Sequence, residues 1–474
     1  MEDFMEFVNN KAIGVKIAYI GGGSRGWAWT LMNDLAGFDK MSGEVALYDI
    51  DYEAAKRNEA IGAKFNGCEG AVSEWSYKAC KTIEEALRGA DFVVISILPG
   101  TFDEMESDVH SPEKYGIYQP VGDTTGPGGI IRALRTIPMF EYIAEKIREC
   151  SPEAWVINYT NPMSLCVGTL YRVFPKIKAI GCCHEVFGTQ SLLVTALEDI
   201  KGIKCTNRND IKVNVVGINH FTWLTEAKYR NIDLFPVYRE FCEKWIENGY
   251  EKRGNQTDKA WDERSDSVWH HTHKVKFDLF LRYGQIAAAG DRHLAEFCPG
   301  GWYLSSPETV RNTYHFNLTP VSYRKNDLID RLKKSDKYYN GEIVPKIKSS
   351  GEEGVQMMAA LLGLGDMVTN VNIPNVGQIP NLPLGAIVET NATFRANSLQ
   401  PVMAGNIPTS IYSLIARIVG VQEMTLEAAL TRNLDLAFEA FCTDPLTRIT
   451  REEAKELFNT MIENTKEYLT MYNI

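Results

Sequence analysis

The sequence holds no unbroken apolar run of about 20 residues, so no membrane-spanning helix is expected. It has no CxxC pair. Its 10 cysteines are scattered, with Cys182 and Cys183 the one adjacent pair, and sequence neighbours rarely bridge. Zinc ribbons and dithiol redox centres are thereby excluded, and most thiols read as small core residues in a reducing cytoplasm. Basic charge is in deficit: 50 Lys and Arg stand against 61 Asp and Glu, giving a formal net charge of −11. That balance argues against a general nucleic-acid binder, although a local basic pocket remains open to it. The acidic start, Met1 to Phe7, lacks the basic and apolar regions of a secretory signal. Internal repeats and low-complexity segments are also missing. What is present is ordinary globular composition, 45% hydrophobic and 23% charged over 474 residues. A chain of this length buries a large core without staples and divides into two or three units at roughly 150 residues each.

Short β-branched runs alternate with helical stretches through the first half. Val15–Ile20, Glu44–Asp49, Asp91–Ile97, Trp155–Tyr159 and Ala179–Cys182 read as strands. Ala28–Leu35, Tyr52–Phe65 and Thr136–Ile147 read as helices. Strand and helix in alternation predict a doubly wound parallel sheet. From about residue 210 the rhythm changes. Lys212–Ile218 reads as a strand, the stretch to about 270 is polar, and Pro374, Pro380 and Pro383 suggest short or edge strands between Asn370 and Phe394. The last 50 or so residues read as helical, with capping-box spacing at Thr450 and Glu453. The expected organisation is a nucleotide-binding domain over 1–205 and a mixed α+β domain over 206–474, which would carry substrate, catalytic and oligomerisation surfaces.

Gly21-Gly22-Gly23-Ser24-Arg25-Gly26 matches GxGxxG between a strand and a helix. Gly21 allows the tight turn, Gly23 the approach of a pyrophosphate and Gly26 the helix–strand contact, with the phosphates at the helix N-terminus. Asp49, ending the next strand, is placed to bind ribose hydroxyls and so to favour NAD, with Arg25 as the opposing feature. Three later strand ends present Asn161, Cys183 and His220 towards one edge, where ligands of such sheets bind. A thiolate and an imidazole from separate segments make an incomplete metal site with positions open for substrate. Each of these residues taken singly would more often be structural. The loop Gly122–Gly129 reads as a cover over cofactor or sugar, with Asp123 facing in and Arg132 and Arg135 on the helix that follows. His270, His271 and His273 read as a solvated face.

The glycine loop, Asn161-Pro162, Cys183-His184-Glu185-Val186, Gly217-Ile218-Asn219-His220 and Gly290-Asp291-Arg292-His293 together resemble glycoside hydrolase family 4. The Cys-His-x-Val element is the most specific of these. The resemblance spans most of the chain and implies an NAD- and manganese-dependent glycosidase on a lactate/malate-dehydrogenase-like fold. Glu185 at the third motif position resembles the α-galacturonidase branch, whereas α-glucosidases and α-galactosidases usually carry Ser there.

By that resemblance, NAD oxidises the sugar at C3, a divalent metal stabilises the enolate formed on loss of the C2 proton, the C1 substituent leaves, water adds and the hydride returns. Cys183 and His220 would ligate the metal, Asn161 and Asp123 would contact sugar, and His184 would bind sugar or protonate the leaving group. A thiolate ligand would make the activity sensitive to oxidation. Asp291 is expected as the base with Tyr283 in reserve, and Arg292 is the nearest cation for a uronate carboxylate. The partner is a small saccharide, neither nucleic acid nor membrane, and the assembly a cytoplasmic homodimer or homotetramer. Within the family, α-glucosidase, α-galactosidase and α-glucuronidase are alternatives. A 2-hydroxy-acid dehydrogenase would share the loop but have no use for Cys183 with His220. A two-carboxylate glycosidase would need neither NAD nor metal, and an NAD-sensing protein would turn nothing over.

Overall fold

The computed structural model describes residues 5–251 and 268–473. The first four residues of the acidic start, residues 252–267 of the polar stretch and the last residue lie outside these. The strands, in chain order, are β1 (Glu6–Val8), β2 (Lys11–Ile20), β3 (Met41–Tyr48), β4 (Trp75–Cys80), β5 (Phe92–Ile95), β6 (Trp155–Asn158) and β7 (Lys178–Gly181). There follow β8 (Ile211–Ile218), β9 (Phe221–Tyr229), β10 (Ile232–Asp233), β11 (Ile286–Ala287), β12 (Met367–Pro374), β13 (Ile387–Arg395) and β14 (Ser398–Pro401).

Six parallel strands run β4-β3-β2-β5-β6-β7, so their chain order across the sheet is 3-2-1-4-5-6. This is the doubly wound arrangement, and the order reverses between β2 and β5, where a crevice opens at the carboxyl ends of the strands. The strands are apolar because helices cover both faces; β5, for example, is buried along its length. One face packs on helices Trp27–Ala36 and Gly354–Leu361, the other on helices Ile83–Leu87, Gly126–Cys150 and Met163–Val173.

The proline-bounded segment departs from expectation. β12 is an interior strand, joined to β7 at Asn372–Gly181 and to β13 along eight pairs, all antiparallel. Pro374 is tolerated because it ends β12, while Pro380 and Pro383 lie in the loop before β13. Residues beyond 205 thus continue the sheet of the nucleotide-binding half. A second antiparallel sheet, β8 to β11, is built around β9.

The helix expected from Thr136 begins at Gly126. Its glycines are required by close packing: a Cβ on Gly128 would stand 2.6 Å from the Asp108 carbonyl oxygen. Half of the glycine-rich loop is therefore helix. The C-terminal capping box forms as the spacing predicts, Thr450 accepting from Glu453 and Glu453 returning the bond. Among the described residues no helix is long and apolar enough to cross a membrane.

Candidate active site

The glycine loop leaves β2 beside the crevice. Gly21 takes a left-handed φ of +97°, and a Cβ there would lie 2.0 Å from the Ser96 carbonyl oxygen at the end of β5. The amides of Gly21 and Gly22 both donate to the Tyr48 carbonyl. Gly23 donates to Asp49 Oδ2 at 2.8 Å, so the acid at the end of β3 also fixes the loop. Burial raises the Asp49 pKa. Ser24 closes the turn by donating its amide to Gly21, and Arg25 reaches Asp51 at 3.9 Å. Gly26 caps helix Trp27–Ala36 without a side-chain bond, and no acidic residue stands in the first turn. Its leading amides are left for an anion, which suits a pyrophosphate. The Arg331 guanidinium lies against this helix start, donating to the Arg25 carbonyl at 3.4 Å.

Cys183 follows β7, and His220 sits in the two-residue turn that joins β8 to β9 with φ of +62°. The Thr124 hydroxyl meets His220 Nδ1 at 3.0 Å. Burial, then His293, depress the His220 pKa to about 3, so the ring is neutral and its Nε2 can ligate. The Cys183 thiol is pushed well up by desolvation, then by Glu389 and Glu185. A cation beside it would reverse that balance and favour the thiolate. A thiolate and an imidazole are donors of the kind a divalent transition-metal ion takes.

Around this pair stand groups from four other segments. His293 stacks on His220 with centroids 3.8 Å apart, and its Nε2 is 3.6 Å from Glu185. Glu185 accepts from the Gly290 amide at 2.6 Å and, although burial opposes it, is held down to about 2, with His293 the leading favourable charge. Asp123 lies beside Arg132, His293 and His220; although burial opposes it, its pKa is low, with the Arg132 charge the leading cause. Arg132 Nε donates to the Asn161 carbonyl, while Asn161 Oδ1 is buried without a hydrogen-bond partner and open to a hydroxyl. The cis Asn161–Pro162 bond lies between β6 and helix Met163–Val173. His184 pairs with Glu352 at 3.0 Å, which raises its pKa.

Two family-based expectations meet a different geometry. Asp291 is fully buried, and its carboxylate accepts the backbone amides of Val275 and Lys276, anchoring the start of helix Lys274–Tyr283. It stands 3.8 Å behind His271 Nδ1 rather than open to the pocket. Tyr283 lies at the far end of that helix, about 13 Å along its axis by the 1.5 Å rise, among Trp223, Trp302 and Arg282. The histidines after 270 are not a solvated face: His271 and His273 are half-buried, and burial drives the His273 pKa well down. Ligand atoms of His271, His273 and Asp291 lie within 4.8 Å of one another. Asp291 already accepts two helix amides and has the buried Lys276 beside it, so that cluster is a poor cation cage.

The model for "Family 4 glycosyl hydrolase" matches residues 16–199, and that for the family's C-terminal domain matches 215–447. The chain belongs to the family 4 glycosyl hydrolases. It is 59% identical over 470 residues to an alpha-galacturonidase of Thermoanaerobacterium saccharolyticum, covering 99% of this chain and 100% of that one. A Bacillus subtilis structure described as a glucosidase superposes with a TM-score of 0.89 at 54% identity, covering 95% and 100% of the two chains. A 6-phospho-alpha-glucosidase from gut microorganisms, solved with NAD and Mn²⁺, shares the fold at 21% identity with a TM-score of 0.74, over 96% of this chain and 99% of that one.

In this family 4 chain, several groups around the donor pair carried no sequence signal. Thr124 contacts His220 across 96 residues of sequence. Glu389, from β13, accepts from Asn370 and Asn219, and burial raises it to about 7 beside Cys183. Glu296 accepts the amides of Val121 and Gly122, and burial pushes it up to about 8. Glu185 was expected only to mark the substrate branch, and His293 had no expected role. For His293 and Glu296, their spacing with Arg292 on one helix was the available clue.

Proposed function

We propose that the protein cleaves α-galacturonides by oxidation at C3, elimination across C1–C2, addition of water and re-reduction. One observation supports the reading most: the dinucleotide loop after β2 and Cys183 after β7 lie at the carboxyl ends of one parallel sheet, with His220 brought in by the β8–β9 turn of the second sheet, in a chain similar over its whole length to an alpha-galacturonidase. When bound, NAD would accept the C3 hydride and return it at the end, and a divalent ion such as Mn²⁺ would polarise the sugar oxygens at C2 and C3.

Gly21 to Gly26 and Asp49 bind the cofactor from the 1–205 half. The 206–474 half brings His220, His271 and helix Asp291–Phe297 to the sugar. The Thr124 hydroxyl donates to Asp123 and therefore accepts from His220 Nδ1, which leaves Nε2 unprotonated to hold the ion. Asn161 Oδ1 and Asp123 receive sugar hydroxyls, and Arg292 receives the uronate. His184, whose pKa the Glu352 hydrogen bond raises, gives its proton to the leaving oxygen. His271, with Asp291 behind Nδ1 and Nε2 on the side of Gly290 and Glu185, takes the C2 proton. The reading carries with it a cytoplasmic homodimer or homotetramer.

A panel of aryl α- and β-glycosides and uronides, assayed with NAD, Mn²⁺ and a thiol reductant, tests the substrate. Turnover of the α-galacturonide alone is expected; preference for an α-glucoside or α-galactoside overturns it. For the base, His271→Gln should slow exchange of the C2 proton with solvent at least about 100-fold. Wild-type exchange in that variant would return the role to Asp291.

A further inference from the structure

Arg292 is 6% exposed, on the inner side of helix Asp291–Phe297. One terminal nitrogen donates to the Pro120 carbonyl at 2.6 Å and to the Thr319 hydroxyl. Its Nε is buried with no partner. The guanidinium lies 4.5 Å from the centroid of Trp269, and the Arg324 guanidinium lies 5.1 Å from the same ring. Arg324, in the first turn of helix Val321–Asn340, is half-buried and makes no hydrogen bond or ion pair among the described residues. Two like charges thus share one aromatic ring with no carboxylate bonded to either.

That arrangement is unfavourable as it stands. Burial and the neighbouring Arg324 charge lower the Arg292 pKa to about 10. The acids coupled to Arg292 are Glu296, Asp123 and Glu185. Glu296 is itself driven towards its neutral form, Asp123 is shared with Arg132 and two histidines, and Glu185 is bound to Gly290 and faces His293. An incoming carboxylate would relieve the repulsion, and guanidinium forks suit it geometrically. The next residue, His293, stacks on His220, so the pair stands beside the ion site.

We infer that Arg292 and Arg324 form a two-armed clamp for the C6 carboxylate of the sugar, with Trp269 as the surface that holds both guanidinium groups in place. Arg292 is the fixed arm, tied to Pro120 and Thr319. Arg324 is the outer arm and sets the preference for uronides over neutral hexosides. This inference rests on the galacturonide reading and deepens it.

Calorimetric binding of D-galacturonate and of D-galactose to the NAD- and Mn²⁺-loaded protein tests it without turnover. Wild type should prefer galacturonate, and Arg324→Gln should shrink that preference about 30-fold, the worth of one charge-assisted bond. Arg324→Lys should restore part of it. Arg324 anchors no other residue, so both variants should fold, which circular dichroism checks. An undiminished preference in Arg324→Gln overturns the clamp. If wild type cleaves no aryl galacturonide while the preference and its loss persist, the functional reading fails and the clamp stands.

Discussion

The Thr124 hydroxyl decides how His220 can act. With Nδ1 engaged, the neutral ring offers Nε2 alone, and burial keeps it neutral far below ordinary pH. Thr124→Val should weaken Mn²⁺ binding about 10–100-fold, the usual cost of losing such a partner. Titration calorimetry would measure it, and an unchanged affinity would detach Thr124 from the ion. Cys183→Ser should abolish Mn²⁺-dependent turnover while NAD binding, read by tryptophan fluorescence quenching, stays near wild type. Equal turnover would remove Cys183 from the site. Cys183 and His220 stood out in the sequence because each follows an apolar strand, but the expected single sheet edge is two sheets: Cys183 follows β7 and His220 follows β8 of the antiparallel sheet. Thr124, Glu296 and Glu389 were not, because their partners come together only through long-range packing. For Asp291 the helix-cap alternative to a base was open in the sequence, but the helix it holds, through the amides 15 and 16 residues upstream, was not legible in Gly-Asp-Arg-His.

Helix Asp291–Phe297 organises the site as an element. Its first turn presents Arg292 and His293, and its end presents Glu296 to the loop that carries Asp123 and Thr124. The Glu296 carboxyl has an ordinary pKa of 4.5 and about 8 in the folded chain. The folded state therefore binds more protons than the unfolded state between those values. Its contribution is complete below about pH 4.5 and fades as pH rises through 8. Glu296→Gln keeps the accepting oxygen without the titration. Its Tm should fall by a few degrees less than that of wild type between pH 6 and 9, as scanning calorimetry would show; parallel curves would contradict this. Local pattern found five of the six parallel strands, β8 and the C-terminal capping box, but missed β4 and β9. It missed the start of helix Gly126–Cys150, because glycine signals a loop where here it permits close helix packing. It also placed the β12 segment at an edge, since proline in sequence does not reveal whether it ends a strand or interrupts one.

At the scale of the molecule, the doubly wound sheet brings a nucleotide loop to its switch point, and the antiparallel sheet carries His220 to the same edge. The alternating strands and GxGxxG made the first half readable; the return of residues 367–401 to the same sheet is a tertiary choice that no local period encodes. The central claim is that nicotinamide and ion site act on one sugar ring. Turnover of an aryl α-galacturonide in D₂O, with NAD, Mn²⁺ and reductant, tests it most directly. The account predicts deuterium at C2 of the released galacturonate with no net rise in NADH absorbance. Product with protium at C2, or NADH formed in step with product, would contradict it.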